Sequence, residues 1–176
     1  MCIRDRVGSI GNGKAGQAPV RDGYLLDERI LLKAIPDTGW RFVRWDGDFS
    51  GTAPEGEFNI QRDSGVDAVF EPLAEYAVTT VALGGAVTGG GTYYEGTEIV
   101  LTATADAGWT FQGWSGDHQG TEPSFPWRVS GPANFVAGFA TPLSTLVTGP
   151  GRVELDPILP SYPYGTRVKV LSLIHI

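Results

Sequence analysis

Internal repetition constrains this chain more than any other feature. A shift of 69 positions carries Tyr24 onto Tyr93, and Ile30, Leu32 and Ala34 onto Ile99, Leu101 and Ala103. The same shift carries Trp40, Phe42 and Trp45 onto Trp109, Phe111 and Trp114, and Gly47 and Asp48 onto Gly116 and Asp117. Phe58 and Ile60 meet Trp127 and Val129, and Ala68 and Phe70 meet Ala137 and Phe139, with no gap from Tyr24 onward. Tyr93, Gly96, Thr97, Ile99 and Leu101 in turn meet Tyr162, Gly165, Thr166, Val168 and Val170. A fixed period of this size marks a tandem array in which each repeat is one structural unit. The period predicts one module over residues 7–73, a second over 74–141 and a truncated third over 142–170. Gly11, Gly13 and Lys14 match Gly149, Gly151 and Arg152 at twice the period, while the middle copy is shorter there. Such length variation belongs in loops. The third copy lacks the tryptophan segment and the closing strand, so its residues are expected to pack weakly. The connections "EPLAEY" and "ATPLS" are short and each holds a proline. They predict a semi-rigid string of beads.

The two ends stand apart from this pattern. Met1–Arg6 reads "MCIRDR" and Leu171–Ile176 reads "LSLIHI". The first can be written ATGTGTATAAGAGACAG and the second can begin CTGTCTCTTATACACAT, which are reverse complements and look like a sequencing adapter. Sequence added by handling is set aside in reading a fold. The expectation is therefore an internal piece of a longer protein, with adapter-derived residues 1–6 and 171–176. Cys2 and Met1, the single Cys and Met, fall in the first of these stretches. No disulfide or thiolate metal site is then expected.

Apolar residues alternate with period two. Ile30, Leu32 and Ala34 share one face, as do Ile99, Leu101 and Ala103, and Phe135, Ala137 and Phe139. Short runs of this period bounded by Gly, Pro and Asp read as half-buried strands. No stretch of ten residues keeps a helical stripe. The expected fold is all-β: tandem small modules of about five short strands each. In the second copy these are Tyr76–Val81, Ala86–Gly89, Glu98–Thr104, Thr110–Trp114 and Asn134–Phe139, with an extra strand near Trp127–Val129. A domain of about 70 residues buries a modest share of its surface. Large aromatic side chains make such a small core workable.

The net charge is −7, without a basic run, so nucleic acid and anionic membrane are not expected partners. Apolar runs of about five residues fall far short of the roughly 20 needed to span a bilayer.

The recurring elements are Y-x5-I-x-L-x-A, D-x-G-W-x-F-x-x-W-x-G-D-x-x-G-T and A-x-F. Together they resemble the divergent InlB B-repeat family of bacterial repeat domains, over residues 7–170. Asp46 departs from the serine usual before Gly-Asp in that family, and the third copy lacks the tryptophan segment altogether. The resemblance implies tandem modules in large secreted or surface-attached bacterial proteins, beside adhesive or enzymatic domains. It implies no catalytic residues. Distant relatives have a β-grasp architecture, so the alternative fold is a set of β-grasp-like α+β modules with a helix.

The repeated motif, Gly39, Trp40, Phe42, Trp45, Gly47 and Asp48 with Gly108, Trp109, Phe111, Trp114, Gly116 and Asp117, admits two readings. In the favoured one it is core. Trp40 and Phe42 share a strand face, and a bulge at Arg44 and Gly113 swings the out-of-phase Trp45 and Trp114 inward. In the other, Trp45 and Trp114 form an exposed platform for stacking sugars or binding a protein. Asp46, Asp48, Ser50 and Glu57 have the spacing of a Ca²⁺ loop. The second copy loses those ligands, with Ser115, Gln119 and Pro126 in their places, so a Gly-Asp turn is the favoured reading. Gly11–Gly16, "GNGKAG", fits a phosphate-loop pattern, but no helix follows to donate its N–H groups, and a Gly-rich hairpin is favoured. His118 replaces Phe49 and reads as a solvated loop histidine. One carboxylate per module, Asp48 or Asp117, is not the pair a glycosidase uses.

These residues describe a non-catalytic spacer or adhesion-associated scaffold, outside the cell on the strength of the resemblance, whose partners are neighbouring modules of its own chain. The alternatives are a glycan- or protein-binding module and an accessory domain of an extracellular enzyme whose catalytic domain lies elsewhere. No cofactor is expected apart from the Ca²⁺ alternative.

Overall fold

A computed structural model describes residues 5–173. The chain divides into two compact units between Ala74 and Glu75. The first unit holds six strands: β1 (Asp5–Ile10), β2 (Gly13–Ala18), β3 (Arg29–Pro36), β4 (Trp40–Gly47), β5 (Glu55–Asn59) and β6 (Ser64–Pro72). They form two three-stranded sheets, in the orders β1-β6-β4 and β2-β3-β5. The second unit repeats the plan with β7 (Glu75–Leu83), β8 (Gly85–Thr88), β9 (Gly91–Tyr94), β10 (Glu98–Ala105), β11 (Thr110–Gly116), β12 (Ser124–Arg128) and β13 (Ala133–Thr141). Its sheets run β11-β13-β7-β9 and β12-β10-β8. No helix occurs among the described residues, so the α+β alternative falls and the fold is all-β. The strand count exceeds five per module. β9 lies in the glycine run before Tyr93, which reads as loop, and β1 and β2 on either side of the Gly11 turn enter different sheets, where a Gly-rich hairpin was expected.

Alternation explains the layering. In β3, Ile30, Leu32 and Ala34 are buried while Arg29, Leu31, Lys33 and Ile35 face solvent. β10 does the same with Ile99, Leu101 and Ala103. In each unit the buried faces of both sheets meet in one cluster: Ile30, Leu32, Trp45, Ala68 and Phe70 in the first, Leu101, Trp114, Phe135 and Phe139 in the second. The first and last strands of each module are parallel neighbours, Val7 opposite Val66 and Val78 opposite Ala133. Parallel neighbours need a long crossover. Here the crossover is the whole module, so the last strand closes what the first begins.

Residues after Thr141 form only part of a module. Residues 142–148 carry no strand, β14 (Arg152–Asp156) pairs with β16 (Lys169–Leu173), and β15 (Tyr162–Pro163) adds to β13. The strand pairing of β1 begins at Asp5 and that of β16 runs to Leu173, so Arg6 and Leu171–Leu173 take part in the sheets despite their adapter-like sequence. Residues 1–4 and 174–176 lie outside the described residues.

The two cores are not packed identically. In the first, Phe49 lies over Gly56, where an added Cβ would press on its ring, and sits 6.2 Å from Trp45. In the second, the position of Gly56 is taken by Phe125, whose ring is 5.2 Å from Trp114. The position of Phe49 is taken by His118, stacked on Phe125 at 3.8 Å. His118 is thus half-buried against a ring rather than a solvated loop residue. The phenyl ring has moved from the turn to the strand, and an imidazole stacked on it stands where Phe49 stood. Gly56→Phe alone overpacks the first module and is expected to cost about 1–3 kcal/mol, the usual range for added core volume. Adding Phe49→His restores about 0.5–3 kcal/mol of that loss, as contacting residues do in double-mutant cycles. Denaturant titration of the four chains checks this; strictly additive effects would contradict the exchange.

Candidate functional site: the Trp-x-Gly-Asp turn

The motif begins in a turn. The Trp40 N–H donates to the Asp37 carbonyl at 3.0 Å, and Trp109 N–H to Asp106 at 3.0 Å, with Gly39 and Gly108 at positive φ between them. The chain then enters β4 and β11. Two residues of β4, Val43 and Arg44, stand opposite Val69, and in β11 Gln112 and Gly113 stand opposite Gly138. This bulge inverts the side-chain phase. Trp40 and Phe42 remain half-buried on one face, and Trp45, three residues after Phe42, turns to the same core. Trp45 is 1% exposed and Trp114 4%. An exposed platform of Trp45 and Trp114 is therefore not what the chain folds into. The indoles pack against neighbouring rings, Phe42 tilted to Trp45 at 5.4 Å and Phe111 edge-on to Trp114 at 5.7 Å. Aromatic pairs of this kind contribute about 0.5–1.5 kcal/mol beyond area burial.

A buried indole needs an acceptor for its N–H. Trp45 Nε1 donates to the Ala53 carbonyl at 3.0 Å, and Trp114 Nε1 to the Glu122 carbonyl at 3.0 Å. Both acceptors lie eight residues downstream. The Trp backbone N–H donates to Gly51 in one module and to Gly120 in the other, at 2.8 and 2.7 Å. Each tryptophan thus ties down the loop that follows it through two atoms.

The Gly-Asp pair then joins that loop to the closing strand. Asp48 N–H donates to the Gly65 carbonyl at 2.9 Å, and Gly65 N–H returns a bond to Asp48 Oδ2 at 2.9 Å. Asp117 repeats both bonds with Asn134, at 3.0 and 2.7 Å. Gly47 and Gly116 have φ of 101° and 99°, a region side chains rarely adopt. A Cβ there would also collide with the carbonyl of Gly65 or Asn134. The glycine lets the closing strand approach and the aspartate holds it.

The four residues with Ca²⁺-loop spacing are not assembled as a cage. Asp46 is held by both Nε and Nη2 of Arg44 at 3.1 and 2.9 Å, Asp48 by Arg62 at 2.7 Å, and Glu57 by Arg29 at 3.0 Å on the outer face of β5. Among the described residues no group of three or more His, Cys, Asp or Glu side chains gathers to hold an ion. The Gly11–Gly16 stretch runs into β2, not into a helix. The bond from Gly65 N–H, then Arg62, holds the Asp48 carboxyl below its ordinary pKa, and the Arg44 bond does the same for Asp46.

The family-model comparison matches the divergent InlB B-repeat domain at residues 7–74 and again at 76–140. The chain belongs to the divergent InlB B-repeat family. A search of curated proteins finds no match to it. The InlB B-repeat family is generally associated with bacterial surface or secreted proteins and is typically non-catalytic. In these two B-repeats the residues that recur together are the turn just described.

Trp127, which the period pairs with Phe58, lies in β12 and packs against the second core. Its Nε1 is buried with no hydrogen-bond partner, at the position the first B-repeat fills with Phe58. Trp114→Phe removes the indole bond to the Glu122 carbonyl together with part of a buried ring and is expected to cost about 1–3 kcal/mol, a lost hydrogen bond added to lost core packing. Trp127→Phe removes an unsatisfied donor and is expected to cost less than about 1 kcal/mol. Urea unfolding of both variants checks the contrast; equal losses would contradict it.

Acid dependence follows from Asp48. Its folded pKa lies below the unfolded value, so protonation favours the unfolded chain. Its contribution is complete above the ordinary carboxylate value of about 4 and is lost as pH falls through the folded value. Asp48→Asn is expected to shrink the drop in melting temperature between about pH 5 and pH 2, with Asp46 retaining its own share. Thermal melts of the two chains across that range measure it; identical acid limbs would contradict the linkage.

Proposed function

We propose that this segment is a non-catalytic spacer of a larger bacterial surface or secreted protein, whose modules hold other domains apart or in line. The observation that carries this reading is the double recurrence of one closed hydrogen-bonding set: indole to carbonyl, Gly-Asp to closing strand. Every side chain of that set is spent on holding its own module. The modules follow one another with two residues between β6 and β7, which suits an array that gains reach by adding copies. The boundaries 7–73 and 74–141, with a partial copy from 142, are the units of that array. Its place outside the cell and its adhesion-associated setting rest on family membership.

The test is length. Chains carrying two, three and four whole copies are compared by small-angle X-ray scattering. A spacer's maximal dimension rises by a constant increment per copy. A particle that grows only as the cube root of its mass would contradict the reading, as would saturable binding of a glycan panel that is abolished by Trp45→Phe without loss of fold.

A further inference from the structure

The first tryptophan of each repeat is not consumed by the core. Trp45 and Trp114 are buried, while Trp40 and Trp109 stop half-buried where their strands begin. Both are seated on bare backbone. An added Cβ at Gly84 would press on the Trp109 ring, and one at Gly11 would press on Trp40. Gly84 and Gly11 have φ of 99° and 88°, which glycine adopts without strain. The seat therefore recurs, and it holds an indole with surface to spare at the end of the module.

In the second module the following copy uses that surface. Trp109 and Tyr164 bring their ring centroids to 6.0 Å at an angle of 39°. The turn that presents Tyr164 is fixed at several points. Two residues earlier Tyr162 is an anchor: its Oη donates to the Pro157 carbonyl at 3.0 Å and accepts from Leu159 N–H at 3.2 Å. Tyr162 is buried and pairs through β15 with Thr141. Tyr164 N–H donates to the Phe139 carbonyl at 3.3 Å. Thr166 closes the turn, its N–H and hydroxyl both donating to the Pro163 carbonyl, at 3.1 and 2.7 Å. The second module and this turn fall in one compact unit.

The outgoing linker is fastened at the same place. In the first module Leu73 N–H donates to the Gly39 carbonyl at 2.8 Å. The period carries Leu73 onto Pro142, which has no N–H. Thr141 supplies a donor instead, its hydroxyl reaching the Gly108 carbonyl at 2.8 Å. The carbonyl just before the tryptophan thus holds the linker in both modules, through two different donors.

We propose that the Gly108-Trp109 turn is a joint of the array, an interaction surface whose partner is the Tyr164 turn of the following copy. The Gly108 carbonyl holds the linker, the Trp109 indole holds the turn beyond it, and together they fix the orientation of that copy on the second module. The second copy carries Glu95 at the position of Tyr164, so the aromatic pair is specific to this joint. The inference deepens the spacer reading and rests on it for its purpose.

The whole chain and its Tyr164→Glu variant, which takes the residue of the second copy, are compared by ¹⁵N relaxation and residual dipolar couplings. Tyr164 is 58% exposed, so the change does not reach the core. In the native chain one alignment tensor is expected to fit Glu75–Thr141 and 152–166 together, with order parameters of about 0.85 at 162–166, as in rigid backbone. In the variant the values at residues 164 and 165 are expected to fall below about 0.6, the range of flexible backbone, and a second tensor to be needed. Separate tensors in the native chain overturn the inference, as does a variant that keeps one tensor and the native order parameters. Separate tensors beside a constant increment of length per copy would remove this joint and leave the spacer standing; one tensor beside cube-root growth would do the reverse.

Discussion

A hydrogen bond from a buried indole to a carbonyl eight residues on is the constraint from which the rest of each module follows. A tryptophan offers the largest apolar surface of any side chain, but its N–H makes burial costly unless an acceptor is supplied. Trp45 and Trp114 obtain theirs from the loop that follows them. The loop is thereby fixed, and its fixed end presents the Gly-Asp pair to the start of the closing strand. The bulge one residue earlier is part of the same device. Without it the indole would fall on the outer face of β4 or β11, and the loop would have nothing to close upon.

Closure is what distinguishes the two whole copies from the third. The first and last strands of a module lie side by side in parallel, so the last strand closes the sheet that the first begins. The third copy has its opening hairpin and its anchoring tyrosine, yet its first stretch forms no strand. β14 and β16 are antiparallel partners, and β15 between them adds to β13 of the second module. A repeat of this kind therefore has two subassemblies: an antiparallel pair of its second and third strands, and a clasp made of the first strand, the Trp strand and the last strand. Small modules with few buried residues are marginal, and the aromatic clasp supplies much of their core.

Much of this was legible in the sequence, and the reasons for the rest are specific. The period, the all-β class and the inward faces of β3 and β10 follow from alternation, which is a one-dimensional signal. The inward turn of Trp45 and Trp114 was readable because their phase is wrong for an unbroken strand, which requires a bulge. Parallel pairing of the first and last strands was not readable, because alternation says which face is buried and nothing about which strand is adjacent. β9 was lost in a glycine run. The exchange of Phe49 and Gly56 for His118 and Phe125 escaped because each position looks unremarkable alone; only the contact between the two positions, visible in the fold, links them. The Ca²⁺ spacing of Asp46, Asp48, Ser50 and Glu57 was a weak signal beside the Gly-Asp turn, because spacing along a chain is not convergence in space. Arg44, Arg62 and Arg29 draw the three carboxylates to separate partners.

Hydrogen exchange at the five indole N–H groups, resolved by ¹⁵N NMR, tests the central claim most directly. Trp45 and Trp114 are held inside their modules by a carbonyl, so their exchange requires opening of the core. The account predicts that these two are the slowest of the five, by at least about a hundredfold over a free indole, since core opening draws on a large part of the global stability. Exchange of Trp45 and Trp114 at the rate of a free indole, in a chain that otherwise remains folded, would contradict it.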